Sequence, residues 1–266
     1  MGTDLLMTVP RWTGVDTGTV DARSTLLLIH GFPFDHRIWR EQYQRLPEQN
    51  VRVIAPDLPG FGDSEPIPDA DCVTMDDYAV ALIRLLDHLH GIAPVTVAGI
   101  SMGGYIAMAM LERFPQRIDR LILCDTRSEA DTPEVAASRL LVAKRALDEP
   151  NADFLADSMI PKLLSETTRK NRPQLETLVR STMSAASPAG IAAAARGMAL
   201  RPDRSHLLRK ISIPVDFVVG VRDVFSPPEV MERMWKLVPE SVASRLIRVP
   251  DAAHLAPLEN PDAFPL

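Results

Sequence analysis

The sequence predicts an α/β architecture: a mostly parallel sheet flanked by helices, with one helical insertion. Three observations carry this expectation. Short apolar runs rich in β-branched residues recur along the chain, each closed by a turn residue. Helical patterns separate them, and the alternation breaks once, between about residues 127 and 208. Apolar runs without alternation suit strands buried on both faces. Strand–helix alternation implies right-handed crossovers between parallel strands.

Taken in order, Val15–Val20 is expected as an early hairpin strand. Leu26–Ile29 then runs into His30-Gly31, Val51–Ala55 into Pro56-Asp57, and Val95–Ala98 into Gly99. Leu121–Cys124 ends at Asp125, Val215–Val219 at Gly220, and Ser244–Val249 at Pro250. Thr74–Leu89 opens on Thr74-x-x-Asp77, a capping box with Asp in place of Glu, and carries Leu82, Leu85, Leu86 and Leu89 at helical spacing. Met102–Phe114 stops before Pro115, and Pro227-Pro228 precedes a helix over Glu229–Leu237. Residues 127–208 hold no strand pattern but four helical ones: Glu134–Leu147, Asp153–Met159, Gln174–Met183 and Pro188–Ala199. Their apolar residues are too divided for a separate core. The expected division is therefore a core of residues 1–126 and 209–266 with a cap of residues 127–208.

Composition narrows the function classes. A chain of 266 residues with 46% hydrophobic and 24% charged residues can bury a sizeable core and remain soluble. A net charge of -6, with no dense Lys/Arg cluster, argues against nucleic acid and anionic membranes as partners. Cys72 and Cys124 form no disulfide framework, and Cys124 sits in an apolar run as a core thiol. The segment Met1–Leu6 lacks the basic region of a signal peptide, and no apolar run approaches the ~18 residues that span a bilayer. The expectation is a soluble, cytoplasmic protein; nothing in the pattern specifies an oligomeric state.

Gly99-Ile100-Ser101-Met102-Gly103 fits G-x-S-x-G between a strand and a helix, the setting in which a tight turn pushes a nucleophilic serine out at the sheet edge. His30-Gly31-Phe32 follows an earlier strand, so the backbone N–H groups of Phe32 and Met102 are candidate oxyanion donors. Among six histidines, His254 lies in a loop after Ser244–Val249, at the edge where Ser101 emerges. His88 and His90 fall on different helix faces, His206 lies where the insertion returns, and His36 is placed to line the entrance. Asp223, four residues past Val219, is the candidate acid in the order Ser…Asp…His; Asp125 competes from the end of the preceding strand, and Asp251 reads as a loop charge. No clustered Cys/His spacing suggests a metal, and the chemistry calls for no cofactor.

With these motifs, Asp57-Leu58-Pro59-Gly60-Phe61-Gly62-Asp63-Ser64 and His254-Leu255-Ala256-Pro257-Leu258-Glu259-Asn260-Pro261 give the chain a resemblance to the α/β-hydrolase superfamily. Within it, the sequence is similar to 3-oxoadipate enol-lactonase-like serine esterases. The resemblance implies an eight-stranded sheet with its second strand antiparallel, and a helical cap inserted after the sixth strand. It also implies acyl transfer from a small ester or lactone through Ser101, His254 and Asp223. C–C bond hydrolysis and perhydrolysis by the same triad remain alternatives, as does a receptor that keeps the fold without turnover. A carboxylate-bearing lactone would need a cation, for which Arg127, Arg196 and Arg201 are candidates. Ala253 stands where the family usually has glycine, and Asn260-Pro261-Asp262 announces a further helix.

Overall fold

The structure, a computed structural model, describes residues 11–18, 22–89, 91, 93–149 and 151–266. Its strands are β1 (Gly14–Asp16), β2 (Ser24–Ile29), β3 (Val51–Pro56), β4 (Val95–Ile100), β5 (Ile118–Cys124), β6 (Val215–Gly220) and β7 (Ser244–Val249). They form one sheet in the order β1-β3-β2-β4-β5-β6-β7. β1 pairs antiparallel with β3, and every other neighbouring pair is parallel. β4 and β6 are buried along their whole length; both are dominated by apolar residues, and the one carboxylate among them, Asp216, is paired with Arg120 and Arg245.

The described residues thus hold seven strands rather than eight, and the antiparallel strand is the first of them. Residues 1–10 are outside the described residues, as are Val20 and His90. Of the expected Val15–Val20, the described residues place Val15 and Asp16 in β1; the Thr17 N–H still donates to the Val53 carbonyl at 3.0 Å, and Asp16 Oδ1 accepts the Gly18 N–H at 2.9 Å.

Helix α1 (Arg40–Arg45) follows β2. α2 (Met75–Leu89) opens on the expected box: Asp77 Oδ2 accepts both the N–H and the hydroxyl of Thr74, at 2.9 and 2.6 Å, and the Asp77 N–H returns to Thr74 Oγ1. α3 (Met102–Arg113) lies between β4 and β5. Six helices separate β5 from β6: α4 (Pro133–Asp148), α5 (Asp153–Leu163), α6 (Glu166–Asn171), α7 (Pro173–Ala185), α8 (Pro188–Ala199) and α9 (Ser205–Leu208). Thr132, Ser165 and Ser187 cap α4, α6 and α8 through their hydroxyls. α10 (Pro228–Trp235) and the short α11 (Ala256–Glu259) complete the set, and 3-10 turns lie at His36–Trp39, Leu46–Gln49, Pro115–Arg117 and Pro261–Ala263.

Two backbone contacts seat α8 on the rest of the molecule. A Cβ at Gly190 would meet Gly60 Cα at 2.6 Å, and one at Gly197 would meet Val73 C at 2.6 Å, so only glycine allows the approach at either place. α4 packs on α8 from outside and leaves Leu140, Leu141 and Leu147 exposed. No helix among the described residues is long and apolar enough to cross a membrane.

Candidate active site

β4 ends at Ile100 and α3 begins at Met102, leaving Ser101 alone to turn the chain. Its backbone sits at φ 52°, ψ -117°, a strained position for a residue with a side chain. Hydrogen bonds hold it there. The Ser101 N–H donates to the Cys124 carbonyl at 3.0 Å, and the Ser101 carbonyl accepts from the Gly104 N–H at 2.9 Å and the Thr126 hydroxyl at 2.7 Å. Gly99 and Gly103 make the turn possible: a Cβ on Gly99 would meet the Gly104 nitrogen at 2.7 Å, and one on Gly103 the His30 carbonyl oxygen at 2.8 Å.

The same closeness brings the end of β2 to the turn. A Cβ on Gly31 would lie 3.2 Å from both the Ile100 carbonyl oxygen and Ser101 Cβ. Phe32 therefore lies beside Ser101, while Met102 opens the helix behind it, where first-turn N–H groups have no intrahelical acceptor. His30 braces this loop from beneath. Its Nε2 accepts the Leu58 N–H at 2.9 Å, which leaves Nδ1 to donate to the Gly31 carbonyl at 2.9 Å. Burial lowers its pKa, so it stays neutral.

His254 Nδ1 lies 2.9 Å from Asp223 Oδ2, and both side chains are buried. Asp223 Oδ1 accepts the N–H groups of Phe225 and Ser226 at 2.8 and 3.1 Å, so the carboxylate is fixed at both oxygens. Burial works to raise the Asp223 pKa; the His254 charge and these hydrogen bonds outweigh it and bring the group below its ordinary value. The Phe225 ring packs against the imidazole, with centroids 4.9 Å apart. Asp125, the rival acid, faces elsewhere: its Oδ1 accepts the Gly220 N–H at 2.8 Å and its Oδ2 the Ala256 N–H at 3.1 Å. Burial pushes its carboxyl well above the usual range, and neighbouring Asp223 adds to this.

Ser101, Phe32 and His254 line one cavity of about 330 Å³. Its walls are mostly apolar, from Leu155, Met159, Met198, Val224 and Phe225, but Arg127, Asp131 and Arg139 also face it. Asp131 is paired with Arg139 and, at 2.6 Å, with the buried Arg201, which lies 4.1 Å over the Tyr105 ring. Arg127 donates to the Phe225 carbonyl. Of the three arginines predicted for an acidic substrate, Arg127 lines the cavity and Arg201 stands behind it. Arg196 instead reaches the Asp71 carbonyl on the surface. Arg139 and Asp131 were not legible as site residues. A usable signal existed, because Val135, Ser138, Arg139 and Val142 form one helical stripe, and all four line the cavity.

The other candidates lie apart. His36 is bonded through Nδ1 to Asp57 Oδ1 at 2.6 Å and does not line this cavity; His206 pairs with Glu112, and Asp251 with Arg222, on the surface. Asp35, His36 and Asp57 bring ligand-type atoms within 4.8 Å of one another. Their lone pairs are already engaged, Asp35 by Arg37 and Asp57 by Thr13 and His36, which is the pattern of a structural network. A larger groove, of about 580 Å³, lies along β1 and α2 and includes His88, but no serine or cysteine is among its described lining residues.

Residues 24–261 match the family described as the alpha/beta hydrolase fold. The chain belongs to the α/β-hydrolase family. This α/β hydrolase is similar to the structure of a thermophilic esterase from Thermogutta terrifontis with malate bound, at 42% identity and a TM-score of 0.87, over 95% of this chain and 89% of that one. It is also similar to the structure of an enol-lactonase from Burkholderia xenovorans, at 25% identity and a TM-score of 0.82, over 96% and 92% of the two chains. Among curated proteins it is 28% identical to a pimeloyl-(acyl-carrier protein) methyl ester esterase of Neisseria meningitidis, over 92% of this chain and 91% of that protein.

Proposed function

We propose that this α/β hydrolase cleaves small carboxylic esters or lactones through an acyl-enzyme formed on Ser101. The observation that carries the reading is the convergence of a strained, outward-turned serine and an aspartate-held imidazole on a single cavity. The esterase and enol-lactonase names of its relatives support the same class.

In the first step His254 takes the Ser101 hydroxyl proton as the oxygen attacks the carbonyl carbon. Asp223 holds the imidazole tautomer and stabilises the imidazolium. The oxyanion forms between the backbone N–H groups of Phe32 and Met102, a pair of fixed dipoles in a largely water-excluded site. His254 then returns the proton to the leaving alcohol, and water activated by the same base releases the acid. Residues 127–208 act as a cap, supplying Arg139, Leu155, Met159 and Met198 to the cavity. At about 330 Å³ the cavity is near the lower end of the usual range for ligand sites, which favours short acyl and alcohol groups. Arg127, Arg139 and Arg201 outnumber the carboxylates of Asp131 and Asp223, so an ester carrying an acidic group gains from the field of the site.

Replacing Ser101 with Ala is expected to abolish p-nitrophenyl acetate hydrolysis and the acyl-enzyme burst. Turnover close to that of the unaltered protein removes this reading.

A further inference from the structure

The segment joining β7 to α11 carries His254, and its backbone donors go to three separate parts of the molecule. The Ala253 N–H donates to Glu259 Oε1 at 2.6 Å, the Leu255 N–H to the Leu163 carbonyl at 3.2 Å, and the Ala256 N–H to Asp125 Oδ2 at 3.1 Å. Asp125 is an anchor in the sheet, since its other oxygen accepts the Gly220 N–H at the end of β6. Glu259 differs. Its second oxygen accepts the Ser165 N–H at 2.9 Å, and Ser165 is the N-cap of α6, inside the inserted helices. Arg172, between α6 and α7, also donates to the Glu259 carbonyl oxygen at 2.5 Å. Glu259 is only 5% exposed, so its carboxylate depends on these donors in place of water.

We infer that Glu259 is a positioning residue that sets the place of His254 from the inserted helices. One of its oxygens grips the residue immediately before the histidine, and the other grips the insertion. The base loop is therefore registered at its Asp125 end to the sheet and at its Glu259 end to α6. Catalytic geometry tolerates errors of about 0.5 Å, and a displacement of about 1 Å costs roughly 10² in rate, so a small slip of this second anchor is read directly in turnover. The inference rests on His254 being the general base.

Two perturbations that leave net charge unchanged test it. Glu259→Asp keeps the carboxylate but is one methylene too short to span both N–H groups. Ser165→Pro deletes the donor on the insertion side: Ser165 lies at φ -62° and the preceding Leu164 is extended, so proline fits the backbone. Ser165→Ala is its control, losing the hydroxyl cap and keeping the N–H. With p-nitrophenyl acetate, Glu259→Asp is expected to lower kcat about 10- to 100-fold with KM within about threefold. Ser165→Pro is expected to fall at least about tenfold below Ser165→Ala in kcat. In both, the loss should fall on kcat and leave KM within about threefold, the mark of a displaced base rather than a damaged binding site. A folded Glu259→Asp protein with kcat unchanged, or with its loss confined to KM, overturns the inference. So does a Ser165→Pro protein indistinguishable from Ser165→Ala, which decides the matter should the first variant not fold. If the Ser101→Ala protein remains active, it is the proposed function that fails instead.

Discussion

Gly103 is the point at which the serine turn and the oxyanion loop are pressed together, and a single methyl group there separates them. A Cβ at this position would lie 2.8 Å from the His30 carbonyl oxygen and closer still to that of Ile29, about 1 Å short of ordinary contact. Both obstacles are backbone atoms of β2 and its exit turn, which cannot rotate away as a side chain would. The strain of Gly103→Ala must therefore be relieved by moving α3 and the Ser101 turn away from His30–Phe32, by roughly the missing ångström. Overpacking of this kind costs about 1–3 kcal/mol of stability. Widening the gap between the Phe32 and Met102 donors by about 1 Å costs roughly 10² in kcat. The assay is p-nitrophenyl acetate turnover, read beside urea unfolding. A Gly103→Ala protein that turns over like the unaltered one would refute the placement of the donors.

Two further outcomes follow from charge. Burial would raise Asp57, but hydrogen bonds from the His36 ring, the His36 N–H and Thr13 bring it from its ordinary 3.8 down to about 2. A depressed carboxylate stabilises the fold above its unfolded pKa, here by about 2 kcal/mol, and that contribution drains away as pH falls from about 4 toward 2. His36 is raised, Asp57 outweighing its own burial, so its contribution is complete below about 6.5 and is lost as pH climbs through the raised value. The unfolding free energy of the native protein should exceed that of His36→Ala by most near pH 5 and converge toward it on both sides; a constant difference from pH 3 to 8 would contradict this. For Arg127→Ala, kcat/KM toward monomethyl glutarate is expected to drop about tenfold more than toward methyl butyrate, the worth of one charge-assisted hydrogen bond. Equal losses on the two esters would show that Arg127 does not read an acid.

Much of this was written in local pattern. Runs such as Val95–Ala98 and Val215–Val219 announced strands because apolar residues dominate them, Thr96 and Asp216 apart, and Gly99 and Gly103 on either side of Ser101 announced the turn, where a Cβ would collide with backbone. α6 was not announced: Glu166–Asn171 is polar throughout, and its start depends on the Ser165 hydroxyl rather than on an apolar stripe. α5 was expected to stop at Met159 but runs to Leu163 through Pro161, which sits near enough to the helix end to be carried. Chain order favoured Asp223 over Asp125, although both lie at the same sheet edge; the structure bonds Asp223 to His254, and Asp125 to the Gly220 and Ala256 N–H groups. Glu259 owes its surroundings to Ser165, and Arg139 in part to Met198, segments far along the chain that no local window contains; Asp131, eight residues before Arg139, lay within reach of one.

The meeting of Gly60 and Gly190 has a bearing on how such an enzyme changes its substrate over time. Where two main chains touch with nothing between them, there is no side chain to trim or enlarge, so α8 has one seat and no adjustable spacer. α4, riding on its outer face with leucines toward water and Ser138, Arg139 and Val142 toward the cavity, carries no comparable restraint. New selectivity is therefore cheapest to acquire on the outer helix, one side chain at a time, while the inner one holds the floor level beneath it.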